Sequence, residues 1–174
     1  MEFPTIPFVG MWPMNGVSVD SNGPILTGIS PSAAVWSAVN RAIFVPVRIP
    51  FPITVRQMMV NIGAAGTATI DVGIYTTDGV RLVSKGSTTT VAGFMLLDVA
   101  DTRVGSGIYY FAMSASTITT LTITGKALGT SQRSELYGLA QMEAAHPLPA
   151  MATLALTTHS HLPQIAANYR EGTI

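Results

Sequence analysis

The sequence predicts an all-β fold: an antiparallel β-sandwich flanked by extended N- and C-terminal arms, with at most one or two short helices. Three observations predict it. The run "TATIDVGIY" alternates with a period of two, Ala68, Ile70, Val72 and Ile74 against Thr67, Thr69, Asp71 and Gly73, as a strand with one buried face requires. The tetrad "TTDG" that follows puts Asp78-Gly79 where a hairpin turns, and "VRLVSKG" supplies the returning strand. Short apolar runs then recur between Gly, Asp and Ser turns, which is the rhythm of a sandwich.

Taken in order, the chain begins with "MEFPTIPFVGMWPMNGVSV", where Pro4, Pro7 and Pro13 exclude a long buried helix. Phe3, Phe8, Met11 and Trp12 sit on this proline-stiffened segment. Each large apolar side chain gains about 1.5–3 kcal/mol when fully buried. The segment reads as an arm that grips a neighbouring subunit; folding back as an extra strand of its own sandwich is the competing reading. "SPSAAVWSAVN" fits either a helix begun at Ser-Pro or an extended chain around Trp36. In "RAIFVPVRIP", Ile43, Val45, Val47 and Ile49 share one face, and Pro46 and Pro50 on the other predict an edge strand or a bend.

The apolar parity of "ITVRQMMVNIG" switches between Val55 and Met58, which predicts a β-bulge at Arg56–Met58. "FMLLDV" and "GIYYFAMS" are apolar on both faces, so each needs a second cover, from this chain or from another. "TTLTITGKAL" sets Leu121 and Ile123 opposite Thr120, Thr122 and Thr124. "SQRSELYGLAQMEAAHP" predicts a short helix capped by Ser131 or Ser134, with Leu136, Leu139 and Ala140 on one face and Pro147 beyond its end. The closing "HPLPAMATLALTTHSHLPQIAANY" shares the character of the first arm, with Leu148, Leu154, Leu156, Leu162 and Ile165 as its contact residues. The expected organisation is an N-terminal arm and lead-in over 1–40, a sandwich core over 41–128, and a short helix with an extended C-terminal arm over 129–174.

Hydrophobic residues make up 48% of the chain and charged residues 10%, too few charges to cover the surface of a free monomer of this size. Nine basic and nine acidic residues cancel, leaving no field to steer the protein onto nucleic acid or an anionic membrane, and neither is expected as a partner. The absence of cysteine removes disulfides, thiolate metal sites and thiol catalysis. Glu2 and the early prolines argue against a secretory signal. Pro147, Pro149, Pro163 and the three histidines break the uncharged C-terminal stretch before it reaches the length of a membrane span.

Catalytic patterns are sparse. "GAAGTAT" lacks the lysine a phosphate loop requires, and neither a G-x-S-x-G elbow nor an H-E-x-x-H helix occurs. Asp98 and Asp101 could be offered as an acid–base pair for glycoside cleavage, but "LLDVADTRVGSG" reads better as a strand end and turn. His159 and His161 would point the same way from a strand and could share a metal, yet lack a third ligand nearby, so structural or interface roles are expected. Tyr109, Tyr110 and Phe111 are consecutive and cannot form one stacking platform. We therefore expect no enzyme, no catalytic residue, no cofactor and no bound metal.

The run "IFVPVRIPFPITV", then "GIYTTDGVRLVSKG" and "AGFMLLDVADTRVGSGIYYFAMS", resembles a jelly-roll-like module common in virion proteins of tailed bacteriophages. The positions that carry the resemblance are Gly73-Ile74-Tyr75, Asp78-Gly79 and Gly107-Ile108-Tyr109-Tyr110-Phe111-Ala112-Met113, with "HPLPAMATL" similar to the tail of such proteins. It covers about half of the chain. The resemblance implies a virion structural protein, and with the low charge and the two arms it points to a capsid decoration or cement protein lying across capsid subunit junctions. It further implies a homotrimer, a major capsid protein or other virion protein as partner, synthesis in the host cytoplasm, and a final place on the capsid surface. The alternative is a tail-fibre or adhesin module binding host-surface carbohydrate, which calls for a stalk-forming repeat; none is present.

Overall fold

In the computed structural model, residues 8–11, 19–20, 23–24, 32–36, 38–117, 120–127, 138–158 and 161–171 are described. They form two antiparallel sheets and a small ribbon, β2 (Val19–Asp20) with β3 (Gly23–Pro24), and contain no helix. The first sheet comprises β1 (Phe8–Met11), β4 (Ser32–Val35), β6 (Ile53–Ala64), β10 (Gly93–Val104), β12 (Thr122–Ala127), β15 (His161–Pro163) and β16 (Ile165–Glu171). The second comprises β5 (Ala42–Ile49), β7 (Thr69–Thr76), β8 (Arg81–Ser84), β9 (Thr88–Thr89), β11 (Gly107–Ala115), β13 (Ala140–Met142) and β14 (Ala155–Leu156).

The main core lies between the sheets. From β5 it takes Ile43, Val45, Val47 and Ile49, and from β7 Ile70, Val72 and Ile74. The first sheet contributes Ile53, Val55, Met58, Val60 and Ile62 of β6 with Ile165, Ala167 and Tyr169 of β16. A single inward face survives along all of β6 because the chain bulges once: Asn168 pairs with Gln57 and Tyr169 with Val55, leaving Arg56 as the extra, exposed residue. The bulge falls inside the expected window. The Asp78-Gly79 hairpin also forms, with the Gly79 amide donating to Thr76 O at 3.1 Å and the Thr76 amide to Val80 O at 2.9 Å. Gly79 has a φ of +82°, where a side chain would strain the turn.

Three expectations need correction. The C-terminal segment does not remain an arm once it reaches β15: β16 pairs with β6 on one side and with β1 on the other, an interior position in the first sheet. The stretch expected to be helical contains strand Ala140–Met142, paired with β5, because the edge of β5 offers hydrogen bonds along which the chain can extend; residues 128–137 lie outside the described ones. β7, expected to be buried on one face, is hidden on both, since Asp71 and Tyr75 are as inaccessible as Ile70 and Ile74. The segment left open around Trp36 is extended: Ser32–Val35 pairs with β12, and the buried Trp36 indole donates to Arg41 O at 3.1 Å. Beyond Phe44, where pairing with β13 stops, β5 has only β11 beside it among the described residues, and the prolines lie along that open stretch.

Candidate functional site

Two surfaces and one polar cluster qualify for scrutiny. The cluster sits on the outer face of the second sheet, where Phe44, Tyr75, Tyr110 and Ala112 would face water but for residues 143–152, a strap that crosses them. Ala145, Leu148 and Ala152 of the strap are buried against this face, and Phe44 meets Tyr75 and Tyr110 edge-on at centroid distances of 5.2 and 6.3 Å. Backbone pairing holds the strap's far end, with Arg81 N donating to Ala150 O at 3.0 Å and Ala152 N to Gly79 O at 2.8 Å.

Side chains from the sheet hold the rest. Asp71, fully buried, accepts from Gly86 N at 2.8 Å and Leu148 N at 3.0 Å. The Tyr75 hydroxyl donates to Pro149 O at 2.6 Å, and the Arg81 guanidinium to Leu148 O. His146 Nδ1 lies 3.0 Å from Ser114 Oγ, while its Nε2 lies 3.0 Å from Thr69 Oγ1 and 3.1 Å from Ser87 Oγ. Burial holds the Asp71 carboxyl above the usual carboxylate range, opposed by the two backbone amides and by Arg81 and His146. Burial pushes the His146 imidazole below its ordinary value, with the nearby Asp71 opposing, and drives the Tyr75 hydroxyl well above its own, so Tyr75 stays a donor.

Serine, histidine and aspartate meet here, and the chemistry they offer follows from who bonds whom. In a hydrolytic triad the acid orients the imidazole and the serine is open to substrate. Here Ser114 is wholly inaccessible and the Asp71 oxygens are taken by backbone amides. The arrangement is built to fasten a strap. Nothing in the sequence reading singled out Asp71 or His146; the available signal was an isolated acid inside an otherwise uncharged strand.

The first surface is an apolar groove of about 340 Å³ beside the strap, lined by Tyr110, Leu139, Leu154 and Leu156 with Gly138, Ala140 and Ala155. The second is the outer side of β10, where Phe94 is 62% and Leu96 54% exposed, with Val91 just upstream at 63%. Of the expected contact residues, Leu156 is exposed and Leu154 is half-buried against the strap cluster. Leu148, Leu162 and Ile165 are corrected to interior positions: the first lies under the strap and the other two in the main core, so their own chain already covers them. Phe8 and Met11 belong to β1, with backbones opposite Asn168 and Ile165; Phe3 and Trp12 lie outside the described residues.

Asp98 and Asp101 do not end a strand, since β10 runs through both. Each is held from β6, Asp98 by the Gln57 amide at 2.7 Å and Asp101 by Arg56 at 3.2 Å. Asn168 in turn donates to Gln57 at 2.7 Å, so a polar ladder crosses three strands of the outer face. His161 is buried in β15, His159 lies outside the described residues, and no group of three or more metal-ligating side chains occurs among the described ones. Tyr109 and Phe111 face the main core while Tyr110 faces the strap cluster, as strand alternation demands. Comparison with protein-family models, with curated proteins and with solved structures finds no match for this chain.

Proposed function

We propose that this protein is a structural component of a bacteriophage virion, a capsid decoration or cement protein that binds across capsid subunit junctions, assembles with copies of itself and contacts the major capsid protein. One observation carries the reading: the folded sandwich still exposes large apolar side chains, among them Val91, Phe94 and Leu96 around β10 and Leu156 on β14, in a chain with 10% charged residues. Surfaces of that kind on a charge-poor protein favour long-lived contacts with other chains. The resemblance supplies the identity of those chains. Its motif residues lie together, Gly73-Ile74-Tyr75 on β7 leading to the Asp78-Gly79 turn, and Gly107–Met113 on the neighbouring β11.

Antibody labelling of intact particles from the encoding phage tests this. Label spread over the head is the expected result. Label confined to the tail, together with saturable binding on a glycan array, would replace it with the adhesin reading; particles without label would remove both.

A further inference from the structure

With no cysteine in the chain, methionine supplies all of its sulfur, and the fold sorts those thioethers by access. Met58, Met59 and Met113 are buried. Met95 and Met142 are half-buried: the Met95 Sδ accepts from Val91 N at 3.4 Å, and Met142 packs against the cluster beneath the strap. Met151 is 59% exposed. It also sits at a joint, because the two bonds that fasten the strap's outer end, Arg81 N to Ala150 O and Ala152 N to Gly79 O, flank the pair Val80 and Met151. A pair flanked in this way exchanges no hydrogen bonds of its own and brings its side chains close, with Cα atoms about 4.5 Å apart. Val80 is therefore the apolar cross-strand neighbour of the Met151 thioether.

We propose that Met151 is a modification site for hydrogen peroxide, and that its conversion to the sulfoxide loosens the outer end of the strap. The thioether sulfur attacks one peroxide oxygen, so that the S–O bond forms as the O–O bond breaks and the second oxygen leaves as hydroxide. That hydroxide takes the proton from the sulfur-bound oxygen and becomes water. Sulfur loses two electrons and the peroxide gains them. The oxidant reaches Met151 with the fold intact, whereas Met58, Met59 and Met113 are reached only if the sheets open. The product is polar where the thioether was apolar, so the contact with Val80 is given up to water. The two flanking backbone bonds then hold that end with less support. The middle of the strap keeps its fastening, since Asp71, Tyr75 and Arg81 bond Leu148 and Pro149 and touch nothing of the Met151 side chain's chemistry. The site does not depend on the virion reading and stands wherever the protein works.

Two measurements on the full chain treated with dilute hydrogen peroxide test the site, beside a Met151→Leu variant treated in the same way. Peptide mapping by mass spectrometry should find the added oxygen at Met151 before Met58, Met59, Met95, Met113 or Met142. Amide hydrogen exchange should then quicken about twofold to fivefold at Arg81 and Ala152, the size of one lost cross-strand contact, while amides along β7 and β11 keep their rates. Methionine sulfoxide reductases acting on both epimers should restore the original rates, and the treated Met151→Leu variant should show no change at Arg81 or Ala152. Oxygen found first at another of those five methionines would overturn the proposal. So would unchanged exchange at Arg81 and Ala152, a rise spread equally over β7 and β11, the same rise in Met151→Leu, or a rise that the reductases leave in place.

Discussion

β10 and β11 look alike in the sequence and end differently in the fold. "FMLLDV" and "GIYYFAMS" both present apolar side chains to both faces. On β11 the chain itself covers the second face from Tyr110 onward, where Tyr110 and Ala112 lie under the strap with Ala145 and Leu148, and leaves Ile108 exposed near the strand's start. On β10 Phe94 and Leu96 remain more than half exposed. The difference comes from position. β11 is flanked by β5 and β7, whereas β10 has one neighbouring strand among the described residues. Apolar content states that a strand needs cover; it does not state who provides it.

The sharpest way to break the comparison is to place the same charge on each strand. Ala112→Asp should prevent folding, because an unpaired buried carboxylate costs several kcal/mol of a total stability of about 5–15 kcal/mol; far-UV circular dichroism of the purified variant is the measurement. Asp71→Ala should follow, losing about 3 kcal/mol in urea denaturation, since two buried amides would lose a charged acceptor. A smaller effect should appear with pH. The imidazole of His146 sits below its ordinary value of 6.5, so the unfolded chain binds the proton more tightly. His146 therefore contributes stability that is fully present above 6.5 and fades as pH falls through that value toward the folded one. Thermal melts should show that slope in the native chain and a shallower one in His146→Gln. Asp71 carries the opposite sign: its raised value means that protonation favours the folded state as pH falls through the carboxylate range. The smallest effect is expected on β10, where Leu96→Asp should shift monomer stability by no more than about 0.5 kcal/mol. A large loss there would mean that Phe94 and Leu96 share a fate with Tyr110 and Ala112.

Much of the sandwich was legible from residue order because the signals are local. The alternation in β7, the Asp78-Gly79 turn and the bulge at Arg56 each depend on a few consecutive residues whose backbone preferences and parity decide the outcome. The candidate site was less legible. Leu148, Leu162 and Ile165 look like Leu156 in the sequence, yet three are interior and one is 77% exposed. Asp71 looked like a solvent-facing residue until residues 77 positions later supplied its burial and its partner, the amide of Leu148.

The sequence by itself determined that this chain is all-β, where its hairpin turns, where β6 bulges, and that its apolar surface exceeds what a single inter-sheet core uses. Only the tertiary structure decided which chain segment covers which face. Strand formation and turning are settled among neighbours, whereas cover depends on where the sheet order leaves a face or an edge open. That order follows from hydrogen-bond pairing between residues as far apart as Gln57 and Asn168, a separation over which no local pattern carries information.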